Sequence, residues 1–208
     1  GLSLSGAIVG RPAPVADGAD GADLVLPLGG FSQAQDATNA DLARAVAEEA
    51  MGLLGDAPTE KKTLVELYAG SGNLTVLLAR ALEARSDSVR LVAVETMEPA
   101  CAAARENLTS RGLSARVVHA NADGYALPEG TRVVVLDPPR TGARAVCEAL
   151  VQSKVHGVVM VSCDPSTLGR DLATLAPRYD LVRLSTFEMF PETSHVETLA
   201  VLRAKKKK

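Results

Sequence analysis

The sequence predicts a doubly wound α/β fold, in which a mostly parallel sheet is covered by helices on both faces. From residue 63 onward, short runs rich in Val and Leu alternate with amphipathic segments of helical length. Strands separated by helices of this length pair in parallel through crossover connections. The last two predicted strands are joined only by Pro191-Glu-Thr-Ser194, so the final strand should run antiparallel to its neighbour.

Each element follows from apolar periodicity and from start and stop residues. Within residues 1–30, the apolar pieces Ala7–Val9 and Leu24–Leu26 should be strands joined by a loose loop. A helix should begin at Asn39 and end at Gly55. The strands that follow are predicted at Thr63–Tyr68, Ser88–Glu95, Arg116–Ala120, Arg132–Leu136, Gly157–Ser162, Leu181–Phe190 and Val196–Arg203. The helices between them are predicted at Asn73–Arg85, Pro99–Arg111, Ala143–Ser153 and Pro165–Leu175.

Composition is ordinary for a globular protein, with 47% hydrophobic and 23% charged residues. No apolar stretch approaches the ~18 residues of a membrane helix, so we expect a cytoplasmic protein without a membrane partner. Cys101, Cys147 and Cys163 form no CxxC pair, which argues against a disulfide framework and a cysteine-rich metal site. A net charge of -3 gives no general attraction to nucleic acid, and the Lys205–Lys208 run is typical of a solvated tail.

Cys163 follows a hydrophobic run and precedes Asp164-Pro165, residue types that begin helices. We therefore expect its thiol at a strand exit, close to a helix N-terminus. The partial positive charge there stabilises a thiolate, so the pKa of this thiol should be lowered and its nucleophilicity should be available at neutral pH. The alternative is a buried cysteine that packs as a small hydrophobic side chain.

A glycine-rich stretch, Glu66-Leu-Tyr-Ala-Gly-Ser-Gly-Asn-Leu-Thr75, ends one strand and opens a helix. Gly70 and Gly72 permit a tight turn and close approach of the backbone to a ligand at the carboxyl edge of the sheet. Thr75 stands where a dinucleotide fingerprint has a third glycine, so NAD binding is the weaker interpretation. Glu95 ends the next strand, where a carboxylate either accepts both hydroxyls of a ribose or is merely solvated.

Asp137-Pro-Pro-Arg140 ends the fourth strand of the alternating series. Two consecutive prolines stiffen the loop and hold Asp137 in a pose that suits the edge of a planar base, although a simple turn explains them as well. Together with the glycine-rich stretch, the motif indicates a methyltransferase that acts on a nucleobase.

The last strand begins with His195-Val-Glu-Thr198. Strand alternation places His195, Glu197 and Leu199 on one face. A carboxylate among apolar neighbours is partly desolvated, which raises its pKa and suits it to act as a general base. A charge that faces water at the strand entrance is a nearly equal alternative.

A mostly parallel sheet that ends in an antiparallel hairpin strand is similar to the Rossmann-like fold of class I methyltransferases, an analogy of fold alone. Five motifs in order, over about residues 31–203, make the chain resemble the RNA uracil-5-methyltransferase family, which forms 5-methyluridine in tRNA and rRNA. They are Phe31-Ser-Gln33, the glycine loop through Asn73-Leu-Thr75, Asp137-Pro-Pro-Arg140-Thr-Gly142, Ser162-Cys-Asp-Pro-Ser-Thr-Leu168 with Arg170-Asp-Leu172, and Met189-Phe-Pro-Glu-Thr-Ser-His-Val-Glu197-Thr.

The resemblance implies that Cys163 is the nucleophile that adds to uracil C6 and that Glu197 is the base that removes the C5 proton. It implies S-adenosylmethionine as methyl donor and S-adenosylhomocysteine as product, with no metal and no iron–sulfur cluster in this chain. The implied cofactor-site residues are Gln33, Tyr68, Gly70, Gly72, Asn73, Glu95 and Asp137. The implied substrate-binding residues are Phe31, Asp137 and Arg140, and the uridine in the RNA must be unpaired or flipped out.

The family also carries an N-terminal RNA-binding barrel and a central domain. Residues 1–30 resemble the end of that central domain, residues 31–204 the methyltransferase domain, and residues 205–208 form a basic tail. We therefore expect an isolated, monomeric catalytic domain whose RNA contacts lie largely outside this sequence. The chain departs from the family pattern at Gln35, Glu66, Ala69 and Asp164, where the family often has Asn, Asp, Cys and Asn. The charge of Asp164 would raise the pKa of the neighbouring thiol.

Two other interpretations stay open at this point. One is an amino-group methyltransferase for adenine or guanine that uses Asp137-Pro-Pro, which leaves Cys163 and Glu197 without a role. The other is a non-catalytic nucleic-acid-binding module that kept the fold, against which the complete set of candidate catalytic residues argues.

Overall fold

A seven-stranded sheet forms the centre of the computed structural model, which describes residues 2–4, 7–9, 15–27, 37–55, 62–85, 88–188 and 196–206. The strands are β1 (Leu2–Leu4), β2 (Ala7–Val9), β3 (Val15–Asp17), β4 (Asp23–Val25), β5 (Lys62–Leu67), β6 (Val89–Glu95), β7 (Arg116–His119), β8 (Thr131–Leu136), β9 (Gly157–Ser162), β10 (Tyr179–Glu188) and β11 (Val196–Ala204). The helices are α1 (Ala37–Leu54), α2 (Asn73–Glu83), α3 (Glu98–Thr109), α4 (Arg144–Gln152) and α5 (Pro165–Leu175). None of these helices is long and apolar enough to span a bilayer.

The strand order in the large sheet is β7-β6-β5-β8-β9-β11-β10. The five strands from β7 to β9 pair in parallel, whereas β11 is antiparallel to both β9 and β10. This arrangement confirms the predicted mostly parallel sheet with an antiparallel hairpin strand. The sequence did not reveal that β11 inserts between β9 and β10, which makes β10 the edge strand.

Two apolar layers cover the two faces of the sheet. Val159 and Val161 of β9 pack in the layer that includes residues of α1, α2 and α3, whereas Val158 and Met160 pack in the layer of α4 and α5. Every residue of β5 and β9 is buried, as expected for central strands with helices on both sides. Polar groups of these strands can therefore meet a ligand only at the strand ends.

The connection between β3 and β4 is attached by a buried ion pair to the turn that follows α3, so the loop predicted through residues 17–23 is present but is not loose. The Asp20 carboxylate accepts hydrogen bonds from Nε and Nη2 of Arg111 at 2.8 and 2.9 Å, and from Nη2 of Arg80 at 2.9 Å. The side chains of Asp20 and Arg111 are each 5% exposed. These hydrogen bonds lower the pKa of Asp20 to about 2, although burial acts in the opposite direction.

We expect Asp20→Asn to lower the free energy of unfolding at neutral pH by about 2 kcal/mol, because the folded-state pKa lies about two units below that of an unfolded aspartate. This contribution is present above pH 4 and is lost as the pH falls towards 2. The stability of the variant should therefore change less over that interval. Urea unfolding at pH 7, 4 and 3 measures both effects, with the exposed Asp17→Asn in the same hairpin as control. Equal losses in the two variants would contradict the assignment.

Candidate active site

The carboxyl ends of the parallel strands bring acidic side chains and a thiol to one side of the sheet. Glu66 and Glu95 lie at the ends of β5 and β6, and Asp137 and Cys163 directly follow β8 and β9. Because successive side chains of a strand point to opposite faces, all four positions fall on the face covered by α1, α2 and α3. The residues predicted from separate motifs therefore converge at one edge.

Cys163 and Glu197 are brought together by the pairing of β9 with β11. Thr198 pairs with Ser162 in this antiparallel ladder. One residue further towards the end of β9 and the start of β11, Glu197 therefore lies opposite Cys163. The two groups are close enough for the negative charge of Glu197 to raise the pKa of the thiol. Each residue was predicted from its own motif, and the tertiary structure makes them neighbours.

The pKa of the Cys163 thiol is raised, so the prediction of a lowered pKa is wrong. Burial is the largest cause and the negative charge of Glu197 adds to it, whereas the positive charge of Arg140 lowers the pKa. The predicted placement is confirmed, because Cys163 lies between the end of β9 and the first residues of α5. Burial and the negative charge of Glu197 outweigh the helix N-terminus, so the surroundings disfavour the thiolate.

Asp164 is the N-cap of α5, as its sequence position predicted. Its carboxylate accepts hydrogen bonds from the backbone N–H of Thr167 at 2.8 Å and from the Thr167 hydroxyl at 3.2 Å. These bonds, the backbone one foremost, lower the pKa of Asp164. The carboxylate is thus directed at the helix, and the negative charge that raises the pKa of Cys163 is that of Glu197.

Glu197 is partly buried, and its pKa is raised to about 7. Burial is the main cause, the negative charge of Asp137 adds to it, and the positive charge of Arg140 opposes it. This environment favours the desolvated carboxylate over a charge that faces water at the strand entrance. A carboxylate whose pKa is raised in this way is a stronger base than an exposed glutamate.

The loop between β5 and α2 turns through Tyr68, Gly70 and Gly72, whose φ angles are 66°, 54° and 86°. A Cβ atom at Gly70 would meet nothing within 4 Å, so the backbone borders open space there. A Cβ atom at Gly72 would lie 3.2 Å from the Cβ of Ala104 in α3. Gly70 therefore leaves room for a ligand, and Gly72 permits close packing of α2 on α3.

Glu95 connects the glycine loop to the loop that follows β6. Its Oε2 accepts a hydrogen bond from the backbone N–H of Gly70 at 2.9 Å, and its Oε1 accepts one from Met97 at 2.8 Å. The residue is 9% exposed, which rules out a solvated strand end. Each carboxylate oxygen keeps a second lone pair with which it can accept a ligand hydroxyl.

Two asparagines hold the glycine loop in place. Oδ1 of Asn73 accepts a hydrogen bond from the backbone N–H of Ala19 at 2.9 Å, and its Nδ2 donates to Oδ1 of Asn39 at 3.4 Å. Nδ2 of the buried Asn107 donates to the carbonyl of Ser71 at 2.9 Å. The side chain of Asn73 is thus used within the protein, and its cofactor role stays a prediction.

Sequence reasoning missed two acidic groups of the site. Oδ1 of Asp123 accepts a hydrogen bond from the Tyr68 hydroxyl at 3.2 Å, and burial raises the pKa of that hydroxyl. Glu66 is fully buried, and its Oε2 has no hydrogen-bond partner in the part of the chain that the structure describes. Burial raises the pKa of Glu66 to about 8, and the charges of Asp137 and Glu95 act in the same direction. Positions at or just beyond strand ends were the available signal for both.

Arg140 lies in a tight turn after β8. The backbone N–H of Gly142 donates to the carbonyl of Pro139 at 2.8 Å, with Arg140 and Thr141 at the centre of the turn. The charge of Arg140 acts on both Cys163 and Glu197, so the structure brings this predicted substrate-binding residue to the thiol and the carboxylate.

Three predicted residues, Phe31, Gln33 and His195, lie outside the described residues, as does the connection at residues 191–194. Among the described residues, no group of three or more His, Cys, Asp and Glu side chains is arranged to hold a metal ion. The expectation of a reaction without metal stays a prediction.

The strand order of the sheet defines the class of the fold, that of the class I S-adenosylmethionine-dependent methyltransferases. The structure of the N-methyltransferase NodS from Bradyrhizobium japonicum in complex with S-adenosyl-L-homocysteine matches with a TM-score of 0.64. It is 14% identical and the match covers 83% of this chain and 90% of NodS, which shows the fold alone. The predicted fold class is confirmed.

Residues 111–206 match the model of the family described as tRNA (uracil-5-)-methyltransferase. The chain is 36% identical over 203 residues to 23S rRNA (uracil(1939)-C(5))-methyltransferase RlmD of Alkalilimnicola ehrlichii, covering 94% of this chain and 43% of that protein. The structure of Pyrococcus abyssi tRNA (uracil-54, C5)-methyltransferase in complex with S-adenosyl-L-homocysteine is 26% identical with a TM-score of 0.74, covering 93% of this chain and 45% of that one. The chain is therefore homologous to the RNA uracil-5-methyltransferases over less than half of their length, which confirms the resemblance.

We expect Glu197→Gln to lower the pKa of the Cys163 thiol, because it removes the negative charge that opposes thiolate formation. Alkylation of Cys163 by iodoacetamide at pH 8 should become about two- to fivefold faster, as measured by mass spectrometry of the Cys163 peptide. The exposed Glu106→Gln in α3 serves as control. An unchanged or slower rate in Glu197→Gln would show that the two groups do not interact.

Proposed function

We propose that this chain transfers a methyl group from S-adenosylmethionine to C5 of a uridine in RNA, through a covalent bond between Cys163 and uracil C6. The observation that carries the proposal is the placement of Cys163 beside a partly buried Glu197 at the ligand-binding edge of the sheet. C5 and C6 are adjacent ring atoms, so a nucleophile and a base that are neighbours can serve both. The names of two homologues, a 23S rRNA and a tRNA uracil C5-methyltransferase, support uracil in RNA as the substrate.

The chemistry assigns one step to each side chain. The Cys163 thiol loses its proton to solvent, the sulfur bonds to C6, and the electron pair of the C5–C6 double bond moves to the C4 carbonyl as an enolate. The enolate makes C5 nucleophilic, so C5 takes the methyl group from the sulfonium sulfur, the S–CH3 bond breaks and S-adenosylhomocysteine leaves. The Glu197 carboxylate then removes the C5 proton, the C5–C6 double bond re-forms, and the C6–S bond breaks to release the Cys163 thiolate. The positive charge of Arg140 favours the thiolate both as attacking and as leaving group.

The glycine loop and Glu95 fit S-adenosylmethionine. Open space beside Gly70 admits a ligand next to the backbone, and Glu95 retains acceptor capacity for ribose hydroxyls. When bound, this cofactor supplies an electrophilic methyl group on a sulfonium ion whose positive charge also favours a thiolate. We assign Gln33, Tyr68, Gly72, Asn73 and Asp137 to the same site, and Phe31, Asp137 and Arg140 to the target base.

An amino-group methyltransferase of adenine or guanine is the second candidate, because Asp137-Pro-Pro lies at the same sheet edge. It needs neither a thiol nor a base beside it. The neighbouring positions of Cys163 and Glu197 therefore favour the uracil reaction, and the trapping experiment separates the two.

RNA that contains 5-fluorouridine should form a denaturation-resistant adduct with the protein in the presence of S-adenosylmethionine. Fluorine at C5 cannot leave as a proton, so the Cys163–C6 bond is retained after methyl transfer. Mass spectrometry should locate the RNA on Cys163, and Cys163→Ala should abolish the adduct. Cys101→Ala, a buried cysteine of α3, should retain it. An adduct of equal yield in Cys163→Ala would exclude this nucleophile.

S-adenosylmethionine binding should weaken by about tenfold or more in Glu95→Ala, because the variant removes both the ribose acceptor and the bonds that connect two loops. Isothermal titration calorimetry without RNA measures this change. Glu98→Ala, an exposed carboxylate in the first turn of α3, is the matched control. Equal affinities in Glu95→Ala and wild type would remove Glu95 from the cofactor site.

A further inference from the structure

The Arg170–Asp171 pair in α5 belongs to a motif of the family resemblance, yet the proposed reaction gives it no role. Its side chains connect α5, which begins beside Cys163, to the turn that carries Arg140. Nη2 of Arg170 donates to the carbonyl of Thr141 at 2.9 Å, and Oδ2 of Asp171 accepts from the backbone N–H of Ala143 at 2.7 Å. The pair therefore grips the turn on both sides of Gly142.

Arg170 and Asp171 also bind one another, which restrains both side chains. Nε and Nη2 of Arg170 donate to Oδ1 of Asp171 at 2.9 and 2.7 Å, so both carboxylate oxygens are engaged. The Asp171 side chain is 0% exposed and that of Arg170 is 39% exposed. A buried carboxylate with three hydrogen bonds resists movement, since any displacement leaves a desolvated charge without partners.

Gly142 leaves no space between the turn and this pair. Its φ of 75° is in the region that favours glycine, and a Cβ atom at this position would lie 2.5 Å from Oδ2 of Asp171. That distance is a steric overlap, and a second overlap occurs with Nη2 of Arg170. The backbone of the turn is thus packed directly against the two side chains.

The position of the turn matters for Cys163 because Arg140 is the positive charge that acts on it. Glu197 of β11 opposes the thiolate and Arg140 favours it, while Asp137 faces Glu197 and Asp164 is directed at α5. Within the turn, the bond between Pro139 and Gly142 closes the backbone, and Arg170 and Asp171 join that backbone to α5. The anchoring of the turn to α5 is therefore what keeps a cation beside the thiol.

We propose that Arg170 and Asp171 are positioning residues, which clamp the Pro139–Gly142 turn onto α5 so that the guanidinium of Arg140 stays beside Cys163. The clamp acts through Arg140, and its consequence for catalysis rests on the proposed function of Cys163. Its effect on the reactivity of the thiol can be measured without RNA and without S-adenosylmethionine.

Gly142→Ala tests the clamp by pushing the turn away. The pH dependence of Cys163 alkylation by iodoacetamide should move to higher pH, so that the rate at pH 8, relative to the plateau at high pH, falls about threefold or more. Gly112→Ala is the matched control, because Gly112 has a φ of 67° but a Cβ there meets nothing within 4 Å. It carries the same backbone strain without the overlap, and its Cys163 profile should equal that of wild type.

Arg170→Lys is the second variant, since it keeps a cation near Asp171 but cannot reach Asp171 and Thr141 with one planar group. It should shift the profile in the same direction as Gly142→Ala. Arg140→Gln alone should produce the full shift, and adding Gly142→Ala to it should produce no further shift. Additive shifts, or unshifted profiles in folded clamp variants, would reduce the pair to a purely structural role.

The two proposals are separated by their readouts. If no adduct forms between Cys163 and 5-fluorouridine RNA, this result counts against the proposed function. It does not bear on the alkylation profiles, which are measured without RNA. A normal adduct together with unshifted profiles counts against the clamp alone. Thermal unfolding of each variant, measured in parallel, separates an effect on the thiol from a loss of folded protein.

Discussion

Burial of the central strands on both faces is the constraint on which the arrangement of this molecule depends. β5 and β9 have no exposed residue, and helices cover the sheet on either side. The polar side chains of these two strands lie at or next to the strand ends, where loops replace helices, and the carboxyl ends of the parallel strands share one edge of the sheet. Glu66, Glu95, Asp137 and Cys163 are therefore concentrated at one edge, and the antiparallel β11 adds Glu197 to them.

That concentration has an electrostatic consequence. Several carboxylates share a partly desolvated space, so the pKa of Glu66 is raised to about 8 and that of Glu197 to about 7. Burial and the negative charge of Glu197 raise the pKa of the Cys163 thiol, and Arg140 is the cation that opposes this effect. The reactivity of the thiol thus depends on the balance between two charged neighbours. The contacts between α5 and the Arg140 turn affect this balance because they hold one of the two charges in place.

The part of the edge that carries the glycine loop is organised by hydrogen bonds rather than by charge. Glu95 connects two loops through their backbone N–H groups, and Asn107 holds the carbonyl of Ser71. The hairpin of β3 and β4 joins this network through Asn73 and through the ion pair of Asp20 with Arg111. A segment that looked like a loose connection in the sequence is in this way part of the support of the glycine loop.

The sequence by itself determined the fold class, the position of most elements and the convergence of Gly70, Glu95, Asp137 and Cys163, because apolar periodicity and strand ends are local properties. Asp164 as a helix cap was also readable, since capping involves neighbours within four residues. Only the tertiary structure decided that β11 lies between β9 and β10 and that Glu197 adjoins Cys163. It also reversed the expected pKa shift of the thiol, because the burial and the negative charge of Glu197 that raise this pKa come from residues distant in sequence.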